Sequence, residues 1–112
     1  MRYMLLICTE GFSEETPDEA LIAETREWVE EMNSRGVRLQ VGSRLRPVAD
    51  AITLRTRDSE VLISDGPFAE TKEQIAGFDL IECDNLDEAI EIASRHPCAK
   101  RWSIEVRPLW DY

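Results

Sequence analysis

The chain has little of what most catalytic centres are built from. Of its 112 residues, three are cysteine and one is histidine. Cys8, Cys83 and Cys98 are odd in number and have no Cys-x-x-Cys spacing, which argues against a disulfide framework. A lone His96 beside them leaves the usual zinc ligand sets unfilled. Each thiol lies in or beside an apolar segment and reads as a reduced packing residue. Cys98 with His96 two positions away is the nearest approach to a nucleophile and its base. No apolar run nears the ~20 residues that cross a bilayer, so no membrane contact is expected. The apolar centre of the first ten residues is about six long, below the ~7–15 of a secretory signal. It reads as a strand, and the protein as cytoplasmic. Positive charge is scarce as well: 13 basic residues against 23 acidic ones give a net charge of −10. That opposes phosphate backbones, and nucleic acid is not an expected partner. Arginines gather at 38, 44, 46, 55 and 57, which is either a local cationic patch or a set of solvated strand edges and loops.

What is present suits one α+β domain over residues 1–112. Tyr3–Cys8 is apolar at every position, as in a central strand buried on both faces. Thr16-Pro17-Asp18-Glu19 opens a helix, with Thr16 as cap, Pro17 in the first turn and Glu19 completing a capping box. Leu21, Thr25, Trp28 and Met32 give that helix a buried stripe, widened by Ile22 and Val29, and Arg35-Gly36 ends it. Val37, Leu39 and Val41 alternate as a half-buried strand. Residues 52–56 and 61–63 form a hairpin about Asp58-Ser59. Phe78–Cys83 is the next strand. A second helix follows, with Asn85 and Glu88 as a capping box and Leu86, Ile90 and Ala93 as its buried face. Arg95-His96-Pro97 stops it, His96 reading as a polar residue at a helix C-terminus, where a cation is favoured. Trp102, Ile104 and Val106 alternate in the last strand.

Strand, helix, strand, extra hairpin, strand, helix, strand predicts a ferredoxin-like split βαβ arrangement. Two helices cover only one face of such a sheet. The wholly apolar first strand, with Trp110 near the tail, predicts that a second copy covers the other, giving a homodimer.

The chemistry-bearing stretch is Ser64-Asp-Gly-Pro-Phe-Ala-Glu-Thr-Lys-Glu-Gln74. Asp65-Gly66-Pro67 is a strong turn former, Phe68 an apolar anchor, and Glu70, Thr71, Lys72 and Glu73 crowd acids, a hydroxyl and an ammonium together. Thr71 with Gln74 predicts a single capped helical turn. Crowded carboxylates raise one another's pKa and a nearby lysine lowers it, so one acid here is a candidate general base. The other reading is a fixed crossover with a solvated, charged tip.

Asp65–Glu73, followed by Gly77-Phe78 and Asp87-Glu88-Ala89, resembles the DGPF-bearing branch of the YCII-related proteins, as do Met1–Leu6, the Gly42 loop and Ile104–Pro108. The resemblance runs over nearly the whole chain. It implies a ferredoxin-like α+β fold and a dimer of facing sheets, a dimeric α/β barrel. Its wider superfamily includes small-molecule isomerases, monooxygenases and dehydrochlorinases. It also implies two functional readings. In one, a small molecule binds under residues 65–73, with Asp65 as base or anchor and Gly66, Phe68, Glu70, Thr71, Lys72 and Glu73 around it, in acid–base chemistry of the isomerase or lyase kind. In the other, the protein is a non-catalytic partner of a sigma factor. The resemblance further implies a His–Asp pair whose histidine stands on the first helix. Residues 17–35 hold none; Glu24, Thr25 and Glu27 occupy that region. No nucleotide fingerprint, metal-ligand set or flavin motif occurs, so no cofactor is expected.

Overall fold

The apolar run at the N-terminus is the inner strand of a four-stranded antiparallel sheet, in a computed structural model that describes residues 1–10 and 18–112. The elements run β1 (Arg2–Thr9), α1 (Glu19–Ser34), β2 (Arg38–Arg44), β3 (Ile52–Arg57), β4 (Glu60–Asp65), β5 (Gln74–Glu82), α2 (Leu86–Ser94), α3 (Pro97–Arg101) and β6 (Ser103–Pro108), with a single 3₁₀ turn at Val48–Asp50. The sheet order is β2-β5-β1-β6, so each helical connection spans an intervening strand, which is the ferredoxin-like split βαβ pattern. β3 and β4 pair only with each other.

Alternation along β1 sends Tyr3 and Leu5 to the helical side, where they meet Ile81 of β5, Trp28 and Met32 of α1, and Ala89 and Ile92 of α2. Met32, Leu5, Ile81 and Ile92 are fully enclosed, each contributing about 1.5–3 kcal/mol by leaving water. Trp28 also donates its indole N–H to the Ile92 carbonyl at 3.0 Å, so one side chain ties α1 to α2 by packing and by a bond.

Several local expectations are corrected. Asp18 caps α1, its carboxylate accepting from the Ala20 amide at 2.8 Å; Thr16 and Pro17 lie outside the described residues. Asn85 caps α2 by accepting from Glu88 N, but the Glu88 carboxylate returns to the amide of Asp84 rather than Asn85. The buried face of α2 is Ala89, Ile92 and Ala93, while Leu86 and Ile90 are exposed, because the stripe continues to His96 at 89, 92, 93 and 96. The alternation of β2 breaks: Gln40 takes φ 58°, the register slips between Arg38 and Gly42, and Leu39 and Val41 are left exposed. This bulge pairs Arg38 with Ile81 and Gly42 with Asp79, placing both on the helical side.

The hairpin stands apart as an arm. Asp58 and Ser59 turn at φ 50° and 67°, the left-handed pair that two-residue hairpins use. Ile52, Leu54, Val61 and Ile63 share one face by register and are 59–66% exposed. The arm explains a radius of gyration of 15.8 Å, against about 13 Å for a compact domain of ~100 residues.

Candidate functional site

Between α1 and the helical face of the sheet lies a cavity of about 330 Å³. Its walls come from sequence periodicity: Leu21, Ile22, Thr25 and Val29 repeat along one side of α1, and Ile7, Thr9, Gly77 and Asp79 share the inward phase of β1 and β5. Most of this lining is apolar. Three polar groups stand out because they are buried: Thr9, Asp79 and His96.

Asp79 sits in strand phase with the core residue Ile81, two positions along. Its Oδ1 accepts from Arg38 Nε at 3.0 Å, with both side chains close to nine-tenths covered. Burial raises the Asp79 pKa above the ordinary carboxylate value; the Arg38 guanidinium pulls the other way without cancelling it. Gly42 makes this pair possible. A Cβ there would collide with Asp79 Oδ1 and stand 2.8 Å from the Phe78 carbonyl oxygen.

His96 is not a solvated cation at a helix end. It is 2% exposed and N-caps α3, Nδ1 accepting the Cys98 amide at 3.0 Å, with Pro97 in the first turn behind it. Trp28 meets the ring edge-on at 4.7 Å between centroids. Desolvation lowers its pKa to about 4, so the ring is neutral at pH 7. Because Nδ1 accepts, the proton resides on Nε2. No fully enclosed side-chain nitrogen or oxygen among the described residues lacks a partner, and Nε2 makes no hydrogen bond among them, so Nε2–H opens to the cavity that His96 lines. Cys98 lines the same cavity with its thiol pKa raised by burial, which keeps it protonated and unreactive.

The stretch singled out in the sequence lies elsewhere. Asp65 ends β4 at the foot of the arm. Gly66 follows at φ 96°, its N–H donating to Ala51 O at 2.7 Å and its carbonyl accepting from Thr53 Oγ1 at 2.9 Å, so the turn clamps the base of the arm. Phe68 is 76% exposed, and Asp65, Glu70, Thr71, Lys72 and Glu73 are all exposed in the single chain. No helical turn forms at Thr71–Gln74. Instead Gln74 Nε2 donates to the Ala69 and Thr71 carbonyls at 3.0 and 3.1 Å, and Thr71 Oγ1 donates to the Glu73 carbonyl. Lys72 pairs with Glu10 at 3.4 Å and lines a second, more polar groove, which shares Thr9, Arg44 and Ala76 with the first cavity. Of residues 65–73, Lys72 lines the second groove, while His96 and Cys98 line the first cavity.

Asp79 was not singled out in the sequence; Arg38 was noted there as one of an arginine cluster, and His96 as the neighbour of Cys98 and as a polar residue at a helix end. For Asp79 a signal existed: a carboxylate at the inward phase of a strand, between Gly77 and Ile81.

Three helices over one face of a four-stranded antiparallel sheet, with an apolar cavity lined by a buried acid and imidazole, define an α+β protein of ferredoxin-like type. The YCII-related domain matches residues 1–112, and the chain belongs to that family. It is also 51% identical over 69 residues to an uncharacterized protein of Rhizobium meliloti (strain 1021), the match covering 60% of this chain and 56% of that protein. The chain thus spans little more than half the length of that curated relative. Among the described residues no cluster of His, Cys, Asp and Glu could hold a metal ion, and no helix is long and apolar enough to cross a membrane.

Proposed function

We propose that this YCII-related protein, of the DGPF-bearing branch by its Asp65–Glu73 motif, binds a small molecule in the cavity beneath α1 and moves a proton on it. Asp79 is the base and His96 the neutral hydrogen-bond donor. The observation that carries this reading is a carboxylate with raised proton affinity and an imidazole fixed as its Nε2–H tautomer, both lining one apolar cavity. A raised carboxylate is a stronger base, and Asp79 Oδ2 has no partner among the described residues while Oδ1 is held by Arg38. A neutral imidazole cannot deliver a full charge, but its N–H can bind an oxygen as negative charge grows on it. In such a step Asp79 takes the proton from a carbon next to a carbonyl, and His96 Nε2–H stabilises the enolate oxygen. The proton then returns at another carbon, an isomerisation, or the electron pair expels a leaving group, an elimination. Incubating the protein in D₂O with a panel of small carbonyl compounds, followed by proton NMR, tests this. Exchange of an α-proton is expected in the wild type and should slow by about 10²–10⁴-fold in Asp79→Asn. Exchange that survives both Asp79→Asn and His96→Gln would sink the assignment.

We also infer that the working form is a homodimer. Met4 and Leu6 of β1 pair with Leu80 and Phe78 of β5 on the face without helices, where they stay only half-buried, and the arm carries its own bare apolar face. A lone two-stranded ribbon is marginal in water, and a second copy offers both apolar surfaces at once. Light scattering should give twice 12.9 kDa, falling to one chain in Leu54→Asp/Ile63→Asp. A wild-type monomer at micromolar concentration would refute the dimer.

A further inference from the structure

The cavity's charge is opposite to that of the molecule around it. Among the described residues, a chain of net charge −10 lines this cavity with three guanidiniums, Arg26, Arg38 and Arg44, against one carboxylate, Asp79. Arg38 is committed to Asp79 inside. Arg26 is different: it is exposed, projects from an α1 otherwise rich in glutamate, and makes no ion pair among the described residues. Arg44 joins it on the wall and borders the adjoining groove as well. Arg26, a cation at the edge of an apolar cavity in a strongly acidic protein and without an ion pair among the described residues, is positioned for an anion from solution.

Building on the reading of this cavity as a ligand pocket, we propose that its ligand is a small, mainly apolar carboxylate, bound with its charge on Arg26 at the rim and its body against Ile22 and Val29. Size points the same way: about 330 Å³ lies at the small end of the ~300–1,000 Å³ range of ligand pockets. Orientation follows from charge. Asp79 repels a second carboxylate, so the anionic end sits toward the exposed Arg26 and the neutral, reacting end toward Asp79 and His96. A planar guanidinium matches a carboxylate with two parallel hydrogen bonds. A phosphate, with more charge to satisfy, would draw on a helix N-terminus, and that of α1 is already occupied by the Asp18 carboxylate.

Three probes of one carbon frame separate the possibilities: cinnamate, its neutral amide, and trans-styrylphosphonate, titrated into the ¹⁵N-labelled full chain with the Gly42 and Gly77 amides and the Trp28 indole N–H as reporters. Cinnamate is expected to bind at least tenfold more tightly than the amide, and to weaken as salt rises. Arg26→Gln should remove that preference and leave amide affinity unchanged; Arg26→Lys should retain part of it. Equal binding of cinnamate and amide, unmoved by Arg26→Gln, overturns the carboxylate assignment and leaves the pocket reading standing. Stronger binding of the phosphonate also overturns it. If no probe shifts these reporters, the pocket reading fails and the ligand class falls with it.

Discussion

Two regions of this molecule hold an acid beside a cation, and they behave as opposites. In the cavity Asp79 meets Arg38 at 3.0 Å with side chains 10% and 12% exposed; on the loop Glu10 meets Lys72 at 3.4 Å with side chains 51% and 81% exposed. In the first, burial changes proton affinity and leaves each charge dependent on the other. In the second, water screens both. Local charge density draws attention to the loop, whereas burial, a property of register, is what shifts the proton affinity of Asp79. The largest expected effect follows. Asp79→Ala strands the Arg38 guanidinium in an apolar wall and should cost about 3–5 kcal/mol in chemical denaturation. Replacing the pair together, Asp79→Leu/Arg38→Met, should recover much of that loss. A loss below 1 kcal/mol in Asp79→Ala would show that water reaches this pair as it reaches the loop.

The buried imidazole gives the next contrast. His96 has its pKa lowered from 6.5 to about 4 in the folded protein. A depressed folded value means the unfolded chain binds the proton first, so this stability is fully present above pH 6.5 and drains as pH falls toward 4. The whole window is worth roughly 3 kcal/mol. Asp79, raised by burial, works in the other direction: its cost at neutral pH is relieved on acidification, and it blunts the acid end. His96→Asn keeps an acceptor for the Cys98 amide without a titrating ring. Urea unfolding at several pH values should therefore show wild type losing stability relative to His96→Asn between pH 6.5 and 4. Parallel curves would mean that His96 is solvated.

How far the sequence reached can be argued residue by residue. The order of elements, the apolar first strand, the stripe of α1 and the Asp58-Ser59 hairpin turn were all legible, because each depends on neighbours within a few positions. The cavity was not. Asp79 meets Arg38 across 41 residues, through a bulge at Gln40 that alternation in β2 does not reveal. His96 was misread because a His-Pro pair after a helix looks like an ending, whereas here it caps a further five-residue helix and turns the ring inward. Thr71-Gln74 fits a helical turn by composition, but Gln74 spends its amide on the loop carbonyls.

Two glycines sharpen the same comparison at lower energies. Gly42→Ala puts a methyl against Asp79 Oδ1 and the Phe78 carbonyl, so the Arg38 pair must shift; about 1–3 kcal/mol should be lost, with the Gly77 and Trp28 resonances moving as well. Gly66 has open space around it, and its cost is backbone alone: at φ 96°, Gly66→Val should lose about 1–2 kcal/mol and leave those cavity resonances in place. Equal shifts of the cavity resonances in both variants would mean that the arm and the cavity are coupled.

The smallest expected effect tests the loop itself. Lys72→Ala removes one exposed partner of Glu10, and exposed pairs contribute about 0–1 kcal/mol. The melting temperature should move by no more than about 8 °C, since about 1 kcal/mol corresponds to about 4–8 °C in a domain near this size. The useful comparison is between dilute and concentrated protein. In a single chain the effect stays small at every concentration. A loss above 2 kcal/mol that appears only in concentrated protein would mean that association buries residues 65–73. Lys72 and its acidic neighbours would then carry the same dependence on one another that Arg38 and Asp79 already have, and the two regions would differ in when they become buried rather than in kind.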